Sequence, residues 1–184
     1  MKKLIAKFVF FIFRWKHTYK EEFKVPKTVM LASPHTSNWD LVFALGVYWI
    51  EGIDAKFLIK NAYTKSLFGF FFKWLGAIGV DRKKHNNLVD YSIELFNAAE
   101  SLILMVPAEG TRERVEKWKT GFYHIAKNAN VPVTFGFLDY GKRLAGVGDV
   151  YTLTGVFETD MQYIQNFYAT IEAKFPDLYN KKIF

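Results

Sequence analysis

The chain of 184 residues contains no cysteine. Disulfide frameworks, thiolate metal sites and a cysteine nucleophile are therefore excluded, and a reducing cytoplasm is compatible with the composition. Acidic residues are almost missing from the first 27 positions, where eight basic residues (Lys2, Lys3, Lys7, Arg14, Lys16, Lys20, Lys24, Lys27) meet only Glu21 and Glu22. The other 157 residues carry 17 basic and 16 acidic side chains, so a basic terminus precedes a nearly neutral body. Such asymmetry points to an anionic surface met by one end of the molecule. Long apolar runs are missing there too. The longest in the N-terminal segment is Phe8–Phe13, whereas a bilayer span takes about 20 apolar residues. A signal peptide would need a longer unbroken run and a small-residue cleavage site. No repeat, low-complexity segment or linker marks a second domain.

What is abundant is apolar. Hydrophobic residues make up 51% and charged residues 23%, the balance of a globular chain. Aromatics reach 18%, with 19 Phe, which brings a lipid-facing surface into view. In MKKLIAKFVFFIFRWKH, Leu4, Ile5, Phe8, Phe11, Ile12 and Trp15 recur at helical spacing, with Lys3, Lys7 and Arg14 on another face. Two readings fit, and both can hold: an amphipathic helix in the lipid interface over residues 1–20, or a helix docked on the protein's own core.

The remaining chain alternates short apolar runs with helical patterns. Strands are predicted at 28–33, 55–60, 76–81, 101–107 and 131–138, and helices at 36–51, 62–75, 86–100, 121–130 and 159–174. The last helix carries a capping-box pattern, Thr159 with Gln162. Residues 139–157 hold β-prone pairs and are expected to add one or two edge strands. The alternation predicts an α/β fold: a single domain with a mostly parallel mixed sheet flanked by helices, preceded by the N-terminal amphipathic helix. Ligands in such folds sit beyond the carboxyl ends of the strands.

Three polar clusters fall at such ends. The first is 33-SPHTSNWD-40. Within a uniform helix His35 and Asp40 would stand about 140° apart, so they meet only if His35 lies in the loop before the helix and Asp40 in its first turn. Pro34 holds Ser33 extended, and Thr36 or Ser37 can cap the helix. Asp40 on one ring nitrogen would leave the other as a base. A turn followed by a helix that favours an acid near its positive end fits equally well. The second cluster lies in 106-VPAEGTRERVEKWKTG-121, about twice the usual loop length. Gly110 allows a sharp turn whose N–H groups face an anion, Arg112 offers a planar fork, and Lys117 and Lys119 add charge. A local Glu109–Arg112 ion pair on a solvated loop is the plainer reading. The third is 79-GVDRKKH-85, a basic turn that can supply a second phosphate contact through Arg82. Among the other histidines, His17 is expected to close the terminal helix, and no pair has metal-ligand spacing.

In this order, the pieces resemble the glycerolipid acyltransferase family, which includes the 1-acylglycerol-3-phosphate acyltransferases. 35-HTSNWD-40 matches its H-x-x-x-x-D motif, 76-GAIGVDR-82 its Gly-rich strand ending in Arg, 106-VPAEGTR-112 its phosphate motif and 119-KTG-121 its Lys-x-Gly. The block at 131-VPVTFG-136 has Gly136 where proline is usual. The resemblance covers roughly residues 28–138 and makes residues 21–184 the acyltransferase domain. It implies acyl transfer from a thioester to a hydroxyl without a covalent enzyme intermediate. His35 would be the general base and Asp40 its stabiliser. Arg82, Glu109, Gly110, Thr111, Arg112, Lys119 and Ser37 would bind substrate. No cofactor or metal is implied; acyl-CoA or acyl carrier protein would be the donor and a lysolipid the acceptor. Backbone N–H groups at the helix start would stabilise the oxyanion. The aromatic segment 67-LFGFFFKWLG-76 would line an acyl groove or meet the bilayer. The expected location is peripheral, on the cytoplasmic face of a membrane with anionic lipid, with no nucleic-acid partner. Two rivals remain: the same chemistry on an amino-acid-based lysolipid without phosphate, and an inactive membrane-surface binding module.

Overall fold

The run 29-VMLA-32 is apolar at consecutive positions because its strand is buried on both faces. Val29 and Leu31 point into one core and Met30 into another. The computed structural model describes residues 1–81 and 87–184. Among these, seven strands form one sheet: β1 (Lys16–Thr18), β2 (Lys27–Ser33), β3 (Ala55–Lys60), β4 (Ala77–Val80), β5 (Leu102–Val106), β6 (Val133–Asp139) and β7 (Leu144–Tyr151). Their order is β1-β7-β6-β2-β5-β3-β4, and every neighbouring pair is parallel except β6 with β7. This is the mostly parallel mixed sheet that the alternation predicts.

Helices α1 (Lys2–Phe13) and α2 (Trp39–Glu51) cover one face, where Phe10, Phe43 and Val47 meet Met30 and Met105. On the other face lie α5 (Leu88–Ala98), α6 (Gly121–Ala129) and α7 (Phe157–Tyr168), whose Phe96, Phe122, Ile125 and Ile164 pack on Leu31, Leu104 and Phe135. The expected helix over 62–75 is instead two short ones, α3 (Asn61–Thr64) and α4 (Gly69–Leu75). The break spans residues 65–68, and Gly69 at the start of α4 comes so close to α3 that a Cβ would lie 2.1 Å from the Thr64 carbonyl oxygen.

Three further expectations change. The terminal helix ends at Phe13, where Arg14 takes a left-handed conformation (φ 53°). His17 therefore lies in β1, paired with Glu51 at 2.7 Å, rather than closing the helix. Trp15 is not on the outer stripe: it is buried and stacked on Phe43, with ring centroids 4.1 Å apart. Strand β7 is not an edge, since β1 pairs with it. Nor does the capping box form. The cap of α7 is Val156, and the buried Asp160 binds the preceding loop through Thr154 and Gly155. Desolvation opposes charge on Asp160, but these bonds and those from Tyr151 and Tyr123 outweigh it and hold its carboxyl below the ordinary range.

The sheet also opens. β3 pairs with β5 only as far as Phe57 opposite Met105, and Leu58–Lys60 pair with β4 alone. Beyond that point the carboxyl ends of the two strands diverge and a cavity enters between them.

Candidate active site

His35 stands two residues beyond the end of β2, in the loop before α2, and Asp40 is the second residue of that helix. Their side chains meet, with His35 Nδ1 3.2 Å from Asp40 Oδ2. The same oxygen accepts the N–H groups of Thr36 and Ser37, each at 2.8 Å. The other oxygen accepts the hydroxyl of Tyr140 at 2.7 Å. An ionised carboxylate only accepts, so against one Nδ1 carries the hydrogen, and in the neutral ring Nε2 then keeps its lone pair. The loop reading and the dyad reading of 35-HTSNWD-40 thus describe one arrangement: the carboxylate that caps the loop also holds the imidazole.

Four amides around the helix start are engaged within the loop. Those of Thr36 and Ser37 go to Asp40, that of Trp39 to Ser37 Oγ at 3.2 Å, and that of Asp40 to the Ser37 carbonyl at 3.2 Å. Ser37 is itself buried. It shapes the turn and does not present its hydroxyl outward.

Glu109 also faces inward. It is only 4% exposed, and its Oε1 accepts Ser33 Oγ at 2.7 Å and the His35 N–H at 3.0 Å. Burial pushes its carboxyl above the ordinary range, against these hydrogen bonds. The carboxyl group thus ties the histidine loop to the loop that follows β5, instead of forming an ion pair with Arg112.

The rest of the loop does gather at the entrance. Gly110 has φ +69°, and a Cβ there would lie 2.8 Å from Lys119 Cδ, so the lysine crosses directly over the glycine. Arg112 is exposed and donates to Asn38 Oδ1, which brings it to the histidine loop. Thr111 Oγ1 accepts the Glu113 N–H at 3.3 Å. Arg82 lies outside the described residues.

A cavity of about 700 Å³ starts at His35, Asp40, Gly110 and Lys119. It runs inward between the diverging ends of β3 and β5, past Leu58, Ile59 and Val106. Its apolar walls come from both sides of the sheet, Ala44 and Val47 on one and Val89 and Phe122 on the other. Gly136 lines it as well; a Cβ there would lie 2.5 Å from the Leu31 carbonyl oxygen. A polar mouth on an apolar shaft is the usual form of a site for an amphipathic ligand.

Two contributors had no local signal. Tyr140, one hundred residues from Asp40, follows the end of β6. Burial, with the bond to Asp40 and its charge, pushes the Tyr140 phenol up, so it serves as a donor. The C-terminal segment closes beneath the 107–119 loop. Arg114 donates to the Asp177 and Tyr179 carbonyls at 3.2 and 3.1 Å, and the Trp118 N–H donates to the Ile183 carbonyl at 2.8 Å. Thr36 Oγ1 accepts the Phe175 N–H at 3.3 Å.

A family model described as Acyltransferase matches residues 14–134, well over half of the chain and the whole span from His35 to Lys119. The chain belongs to the acyltransferase family. Among solved structures it is similar to the 1-acyl-sn-glycerophosphate (LPA) acyltransferase, PlsC, from Thermotoga maritima, with 15% identity and a TM-score of 0.61 over 90% of this chain and 75% of that one. At that identity the likeness is one of fold. No curated protein matches the chain. This acyltransferase thus brings the 35-HTSNWD-40 and 106-VPAEGTR-112 segments together at one end of the cavity.

Proposed function

We propose that this acyltransferase moves a fatty acyl group from an acyl thioester, acyl-CoA or acyl carrier protein, to a hydroxyl of a lysophospholipid or glycerol phosphate at a membrane surface. The observation that carries the reading is the His35–Asp40 pair at the mouth of an apolar cavity, with Arg112 and Lys119 on the rim. The cavity suits an acyl chain, and the two cations suit the acceptor's phosphate.

The chemistry follows from these groups. A thioester is already activated, so no serine or cysteine nucleophile is required. His35 Nε2 takes the proton of the acceptor hydroxyl as its oxygen attacks the thioester carbonyl. Asp40 stabilises the imidazolium that results. The C–S bond then breaks, the ester is released, and the imidazolium returns its proton to the departing thiolate. Arg112, Lys119 and the Gly110 turn hold the phosphate so that the hydroxyl meets Nε2. Arg82 is kept as a second phosphate contact by its motif alone. Among the described residues no helix is long and apolar enough to cross a membrane. Helix α1 buries Ala6 and Phe10 but leaves Leu4, Phe8 and Phe11 at 73%, 64% and 80% exposure. One face of α1 is thus docked on the core and the other is open, which supports the lipid-interface reading of the segment.

The test is thiol release from acyl-CoA, which the cysteine-free chain reads without background. Release should require a phosphorylated lysolipid, with the new ester identified by mass spectrometry. Release only with a phosphate-free amino-acid lysolipid would replace the acceptor. No release with any acceptor would leave a binding module.

Tyr140 gives a finer check. Tyr140→Phe removes one of Asp40's four hydrogen bonds but keeps the ring against Trp15 and Phe43, at 4.9 and 6.1 Å. A drop of roughly 3–10-fold in kcat is expected, with both KM values and the melting temperature little changed. An unchanged kcat would mean that the backbone donors alone hold Asp40.

A further inference from the structure

Most of the large apolar side chains left outside the cores lie on two segments. One is α1. The other is the stretch around α4, where Leu67, Phe68 and Phe70 are 87%, 65% and 74% exposed, with Phe71 and Trp74 partly so. Its sequence allowed an acyl groove or a bilayer contact. The cavity decides between them, because none of its described lining residues comes from 61–76. These rings therefore take no part in lining the cavity.

The two segments are joined. Lys2 Nζ donates to the Trp74 carbonyl and lies over the rings of Trp49 and Trp74. Trp74 stacks on Phe71, with ring centroids 5.9 Å apart. At the other end of α1, Phe13 meets Trp39 at 5.1 Å, next to Asn38 and Asp40 at the cavity mouth. The apolar surface thus runs from the mouth along α1 to α4.

Charge identifies what covers it. Residues 1–20 and 55–80 hold ten Lys or Arg and no Asp or Glu. All other residues hold fifteen basic against eighteen acidic. The whole positive excess of the protein therefore belongs to the two segments that expose the aromatics. A second copy of this chain would match the apolar surface but set ten further cations against these ten. An anionic lipid surface satisfies both properties, because rings enter the acyl boundary while lysines reach the headgroups.

We infer that the Leu67–Trp74 segment is a second lipid-inserting element, which with α1 docks the protein on anionic lipid so that the cavity mouth lies at the bilayer surface. The inference rests on the membrane-surface reading above. A single interfacial helix leaves the molecule free to roll about the helix axis. A second contact at α4 removes that freedom and keeps His35 toward the layer that holds the acceptor.

The absence of cysteine makes the test direct. Phe70→Cys, Phe11→Cys and Glu94→Cys are each labelled with a polarity-sensitive fluorophore, and phosphatidylcholine vesicles with and without phosphatidylglycerol are added. The labels at 70 and 11 should shift to the blue with the anionic vesicles and be quenched by a nitroxide lipid. The label at exposed Glu94, on the opposite face, should not change. Phe68→Ser with Phe70→Ser should weaken vesicle partitioning at high salt by about tenfold or more, while turnover of detergent-dispersed substrates stays unchanged. A silent label at 70 with a responsive one at 11 overturns the inference and leaves α1 as anchor. A blue shift at 70 that follows protein concentration without lipid overturns it in favour of self-association. Silence at both positions removes the membrane reading as well, while the thiol assay still judges the chemistry.

Discussion

His35→Ala should lower kcat for acyl transfer by about 10²–10⁴-fold, the usual contribution of a positioned general base, with a melting temperature close to that of the wild type. The fold is spared because the backbone, not the ring, ties this loop down. The His35 N–H to Glu109 survives the substitution, and Asp40 keeps its bonds from Thr36, Ser37 and Tyr140. Only the 3.2 Å contact between ring and carboxylate is lost. Asp40→Asn should reduce the rate by a smaller factor, but it is the less clean test. All four partners of the Asp40 oxygens are donors, so an amide NH₂ on either side meets another donor, and stability falls with activity. Near-normal turnover in a folded His35→Ala variant, measured by thiol release, would remove His35 from the mechanism.

Arg112→Ala should raise KM for a phosphorylated acceptor by about 10–150-fold, the equivalent of losing a charged hydrogen bond worth roughly 1.5–3 kcal/mol. KM for the acyl donor should change little. Stability should also hold, because the side chain is exposed and its partner is the exposed Asn38. Arg112→Lys should recover only part of the loss, since an ammonium keeps the charge but not the two-pronged geometry. The control is a phosphate-free lysolipid. An equal loss on that acceptor would mean that Arg112 acts by steadying Asn38 in the histidine loop, and would favour an acceptor without phosphate.

Much of this site is legible in the sequence because its two halves are local. His35 and Asp40 are five residues apart, and a loop followed by a helix is the one local geometry that brings them together; the 3.2 Å contact is that geometry. The Gly110 turn is equally local, with φ +69° as the glycine implies. The central strands were readable because burial on both faces requires uninterrupted apolar runs. Other features were hidden for definite reasons. Strand β1 is three residues long and exists through its pairing with β7, 128 positions away, as in Lys16 with Leu144. Glu109 is a phosphate contact by resemblance alone, and its plainer reading is an ion pair with Arg112 on a solvated loop, because charged side chains are usually exposed. Only the fold shows the buried Ser33 hydroxyl and the His35 amide waiting for it.

The sequence by itself determined the chemistry available: a histidine with a nearby carboxylate, a glycine turn with cations, no thiol, and positive charge concentrated with aromatics. It did so because residue identity and short spacing carry those properties without reference to the rest of the chain. Only the tertiary structure decided that Tyr140 completes Asp40, that Glu109 turns inward, that Trp15 is core, and that Phe68 and Phe70 face outward while the cavity runs elsewhere. Each of those outcomes depends on which group from a distant segment comes within hydrogen-bond or packing distance. Periodicity specifies that a helix has an apolar side, but what that side meets is settled only when the sheet has closed around it.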